Sequence, residues 1–133
     1  MKHKLKSIFP LSHPQHIILG LALVGIGLIL TCNDSYFFWP PFATRLLNDD
    51  LIGGIFMAIG ILIIKWALDN RNKIAVNRNL LVITAGLLAL EATAEFCHWY
   101  VSGHSHMLTA GFLEVIVLLF DFSIIGQSKK RSY

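Results

Sequence analysis

Four long apolar runs joined by short polar segments constrain this chain more than any other feature: Ile17 to Thr31, Leu51 to Leu68, Leu80 to Tyr100 and Met107 to Gly126. Each approaches the ~20 residues that a helix rising 1.5 Å per residue needs to cross ~30 Å of hydrocarbon. Lipid offers no hydrogen bonds to a bare backbone, so segments of this length read as helices. The expected fold class is all-α, a polytopic integral membrane four-helix bundle forming a single membrane domain over 1–133.

Charge placement orients the bundle. Only 14% of the residues are charged, against about 25% in a soluble domain. Nine of the eleven Lys and Arg fall in three clusters: Lys2, Lys4, Lys6, then Arg71, Lys73, Arg78, then Lys129, Lys130, Arg131. The positive-inside rule keeps all three in the cytoplasm, which makes 69–79 a basic cytoplasmic loop and 33–50 an outer loop. The localisation that follows is a multi-pass plasma membrane protein with both termini cytoplasmic. The formal charge of +3 then needs no nucleic-acid partner, because the basic residues flank apolar spans and form no face of a soluble module.

The Lys-rich start imitates a signal peptide, yet no small-residue cleavage site follows Leu30, so a retained first helix is expected. His3, His13 and His16 belong to its lead-in, with His16 as a cap. In the outer loop, Tyr36-Phe37-Phe38-Trp39 read as an interfacial aromatic belt and 42–47 as a short interfacial helix. The glycines at 20, 25, 27, 53, 54 and 60 are expected as close helix-packing points that also offer a homodimer surface. A faint internal repeat aligns Cys32 with Cys97 and Gly54 with Gly111.

Half of the eight acids fall inside predicted spans: Glu91, Glu95, Glu114 and Asp121. A charged side chain at the bilayer centre costs roughly 2.5–3.5 kcal/mol on insertion scales, so such groups face the bundle interior or a wet cavity. Glu91, Glu95 and His98 share one helix face at i, i+4 and i+7, and Glu114 and Asp121 share another at i and i+7. Helical rise puts Glu95 ~22 Å from the inner boundary and Glu114 ~10 Å from the outer one, which is nearly the same level.

Three readings of this group compete. The first is a polar cavity of Glu91, Glu95, His98 and Glu114 that binds a cation or proton. The second is a divalent metal site built on Glu95-x-x-His98 and Glu114, with His104 and His106 as an outer trap. The third is neutral acids acting as packing glue. The same depth arithmetic allows an inner ion pair of Lys65 with Asp121, against a Lys65 that snorkels to the surface. Cys32 and Cys97 lie at similar depth, as a disulfide or as two buried small apolar side chains.

No nucleophile with its base and no phosphate loop is present. The leading expectation is a cation- or proton-linked transporter or channel-like protein. Alternatives are a non-catalytic membrane subunit, lysis, immunity or scaffold protein, and a membrane enzyme with an outer-facing metal. The expected partners are membrane lipids and a second copy or a membrane complex.

Overall fold

In the computed structural model the described residues are 13–48, 50–69, 71 and 73–130, without the side chains of 129 and 130. Lys2, His3, Lys4, Lys6 and Arg131 lie outside them. The helices are α1 (Pro14–Thr31), α2 (Thr44–Leu47), α3 (Asp50–Leu68), α4 (Ile74–Ser102) and α5 (Ser105–Lys130), with no strand among the described residues. All but α2 are long and apolar enough to cross a membrane.

The local signals are ordinary ones. Pro14 opens α1, where its missing N–H costs nothing. Gly103 ends α4 in the left-handed conformation at φ 70°, its N–H donating to the Trp99 carbonyl at 2.7 Å, which produces the tight turn into α5. One boundary departs from expectation. The segment 69–79 is not all loop, since α4 already begins at Ile74 and Asn77 is buried. Asn77 accepts this position because it hydrogen-bonds His16 at 3.0 Å, so His16 ties α1 to α4 rather than capping α1.

The bundle consists of two antiparallel pairs, α1 against α3 and α4 against α5, which meet more lightly through α3–α4 and α1–α5. Glycine sets the first pair. A Cβ on Gly27 would stand 2.5 Å from the Gly53 carbonyl oxygen, and one on Gly53 would stand 2.7 Å from that of Gly27. Gly20 and Gly60 repeat the arrangement one heptad away, at 2.7 and 2.6 Å. Backbone thus meets backbone, the close approach that helix association in a bilayer depends on. The dimer surface expected of these faces is therefore largely consumed within the chain, and only Gly25 and Gly54 keep open space above them. The proposed repeat is not reflected in packing: Gly54 is open, whereas a Cβ on Gly111 would press on Phe96 at 3.1 Å.

Around an apolar core that includes Leu19, Leu23, Phe56 and Leu88, the outer surface is also apolar and part of the interior is polar. Large apolar side chains such as Ile18, Leu21, Leu51, Ile61, Phe112 and Leu119 are exposed, while Thr84, Glu91, Glu95, His98 and Asp121 are at most 1% exposed. That pattern suits a helical bundle whose four long helices are apolar enough to cross a membrane.

Candidate functional site

On α4 the core-facing positions run 77, 81, 84, 88, 91, 95 and 98, alternating steps of four and three, the seam of a left-handed bundle. Every second one of these, seven residues apart, is polar and buried: Asn77, Thr84, Glu91 and His98. This ladder extends about 31 Å along the helix, close to the thickness of the hydrocarbon core. On α5, Glu114 and Asp121 stand on a matching heptad and are buried too.

The two stripes converge at one level. Glu91, Glu95 and Glu114 each offer a carboxylate oxygen, and these oxygens lie no more than 4.8 Å apart. Tyr36 reaches them from the connection between α1 and α2, its hydroxyl donating to Glu95 Oε1 at 2.5 Å. Burial, that hydrogen bond and the neighbouring acids hold the Tyr36 phenol well above its ordinary value, so it stays a neutral donor. The connection itself is pinned by Asn48, whose Oδ1 accepts from the Phe37 N–H at 2.8 Å and whose Nδ2 donates to the Phe37 carbonyl at 2.6 Å. The buried Phe37 ring anchors the clamp.

Four of the other five carboxylate oxygens of the cluster are unsatisfied. Both oxygens of Glu91, Oε2 of Glu95 and Oε2 of Glu114 are buried with no hydrogen-bond partner among the described residues. They line a cavity of about 190 Å³ between α1 and α5, whose remaining walls are Ala22, Ile26, Ile29, Leu30, Ala110, Leu113 and Val117 with Tyr36. Buried polar groups of a packing network are ordinarily paired, so this many orphaned oxygens in one place sets the cluster apart from the rest of the interior. No family model, curated protein or solved structure matches this chain. The chemistry of the site therefore rests on its geometry alone.

His98 does not join the cluster. It is fully buried one turn nearer the loops, its ring centroid 3.9 Å from Phe38 and 5.4 Å from Phe37, and its Nε2 accepts the Phe38 N–H at 3.4 Å. Nδ1 is buried without a partner. His104 and His106 are exposed, with ring centroids 5.4 Å apart, and among the described residues they join no group of converging metal ligands. The metal set expected from Glu95-x-x-His98 is thus corrected: among the described residues the converging ligands are Glu91, Glu95 and Glu114. The reason is that Phe37 and Phe38 occupy the space beside the imidazole.

Two further expectations are corrected. Asp121 is fully buried with both oxygens unpartnered, while Lys65 is exposed beside Ile61, Ile64, Leu68 and Asp69, so they form no ion pair. The pairing of α1 with α3 and of α4 with α5 leaves α3 and α5 with little or no contact. Cys32 and Cys97 are free and exposed, without a disulfide. Equal depth did not place them on facing sides.

Tyr36 escaped sequence reasoning, because a contact between residues 59 apart leaves no local signal. Asn77 and Thr84 did leave one, namely their seven-residue spacing from Glu91 and His98.

Proposed function

We propose that this chain is a membrane-embedded cation- or proton-binding protein that takes part in transport, with Glu91, Glu95 and Glu114 as the binding carboxylates. The observation that carries the reading is the convergence of three buried acids whose free oxygens have no partner. Acids serving only as packing glue would hydrogen-bond one another or neighbouring helices, and most of these oxygens do neither. A bound cation or proton supplies the compensation that an isolated carboxylate in low dielectric requires. Tyr36 orients Glu95, and His98 with the loops closes the site on the side opposite the basic loop, which the positive-inside rule makes the outer face.

The test is flux in proteoliposomes. Glu95→Gln and Glu114→Gln are each expected to abolish pH-dependent cation or proton movement, read with an internal pH-sensitive dye, while leaving the helical content unchanged. Wild-type flux in both variants overturns the reading.

A divalent metal held by the same carboxylates is the second reading, favoured by oxygens spaced closely enough to share one ion. Elemental analysis of the purified protein that finds no Mg, Ca, Zn, Fe, Mn or Cu at stoichiometric level removes it.

A further inference from the structure

The cavity that reaches the carboxylates has two chemically distinct parts. Its floor is Glu91, Glu95 and Glu114, and its walls are apolar side chains of α1 and α5, with no Lys, Arg or His among the lining residues. Its rim includes Ile29 at 54% and Leu113 at 58% exposure, so the cavity reaches the surface between α1 and α5. In a chain whose exposed surface is hydrocarbon-like, an opening on the side of the bundle faces the bilayer. The small residues Ala22 and Ala110 contribute to its walls, where larger side chains would narrow it.

A hydrated inorganic ion suits such a shape poorly. Mg²⁺ keeps several waters and Ca²⁺ takes six to eight oxygens, whereas the walls above these carboxylates offer only carbon and a phenol already donating to Glu95. An organic ammonium fits both parts. Its N–H donors meet carboxylates at about 2.8 Å, and three acceptors placed tetrahedrally around one nitrogen stand about 4.6 Å apart. That separation is compatible with the upper limit of 4.8 Å here. The apolar body then lies along Ile26, Leu113 and Val117. A cavity of about 190 Å³ is below the ~300–1,000 Å³ that takes drug-sized ligands, so the body is small.

We propose that the carboxylate site takes a small lipophilic primary amine in its ammonium form, admitted from the bilayer between α1 and α5. This rests on the cation-binding reading above and names its ligand class. Three N–H donors match three carboxylates, and the alkyl group replaces lipid in the cleft. A neutral alcohol of the same length fits the walls but leaves the acids unpaired, and a bare metal ion fits the floor but leaves the walls unused.

The experiment is heat unfolding of the purified protein in detergent with n-hexylamine, 1-hexanol or MnCl₂, since a ligand that binds the folded state raises the midpoint. Hexylamine is expected to raise the midpoint in a saturable manner, and hexanol at equal concentration to leave it unchanged. Ala22→Phe, which fills the wall, and Leu113→Trp, which crowds the rim from an exposed position, are each expected to weaken the amine effect at least tenfold. Equal shifts with hexanol, or full amine response in both filled variants, overturn the proposal. Stabilisation by MnCl₂ but not by hexylamine, lost in Glu114→Gln, overturns the amine assignment while the cation site stands. No shift with hexylamine or MnCl₂, together with wild-type flux in the Glu→Gln variants, overturns both.

Discussion

Tyr36 shows how much a single side chain outside the spans can matter. Its hydroxyl supplies Glu95 Oε1 with a donor, and without it that oxygen would join the other unsatisfied atoms of the cluster. Removing one partner of a buried polar pair costs about 1–3 kcal/mol. Tyr36→Phe is therefore expected to lower stability by that amount in a denaturant titration in detergent. Tyr100→Phe, at a site 84% exposed, should change it by less than ~0.5 kcal/mol. Tyr36 also predicts an alkaline limb. An unfolded-chain tyrosine ionises near pH ~10, whereas the folded chain holds Tyr36 protonated. A raised folded value means stability that is present below pH ~10 and lost as pH rises beyond it, because only the unfolded chain gains by releasing the proton. Tyr36→Phe should flatten this limb, and an unchanged slope between pH 9 and 11 would contradict the assignment.

Among the helices, α1 and α3 are joined by glycine and α4 and α5 by a mixed seam. The glycine pairs bring two backbones together so closely that no side chain fits between them at those points. The α4–α5 half keeps room for side chains and uses it for acids. Gly27→Ala is expected to destabilise the fold by about 1–3 kcal/mol, because the new methyl meets the Gly53 carbonyl and the Met57 backbone, which cannot turn aside. Gly25→Ala, two residues earlier with open space above it, should be neutral or stabilising by up to ~1 kcal/mol. Unfolding of both variants in a detergent titration checks the contrast, and equal effects would mean that the glycine seam does not hold α1 to α3.

Taken whole, the molecule places Tyr36, Phe37, Phe38 and the Gly103 turn at one end, and His16, Asn77 and Trp66 at the other. The second end is built as carefully as the first. Trp66 packs on His13 and His16 at centroid distances of 5.0 and 4.8 Å, and its indole N–H donates to the Lys73 carbonyl at 2.9 Å. Cys32, exposed at the C-terminal cap of α1, reports which end faces out. If the basic loop is cytoplasmic, a membrane-impermeant maleimide should label Cys32 in a Cys97→Ser background from outside intact cells. Labelling only in inverted vesicles would reverse the orientation. Four long apolar helices and the presence of buried acids were legible in the sequence, because hydropathy and helical rise are local properties. The level shared by Glu95 and Glu114 was legible too, since a short turn forces antiparallel register. What only the tertiary structure decided was rotation about each helix axis and choice of neighbour. Equal depth brought Glu95 and Glu114 together, yet it failed for Lys65 with Asp121 and for Cys32 with Cys97. In lipid both the seam and the outer face can be apolar, so the pattern that orients a soluble helix is weak here. The glycine register between α1 and α3, and the folding of Tyr36 onto Glu95, settled those rotations through contacts that no local stretch of sequence contains.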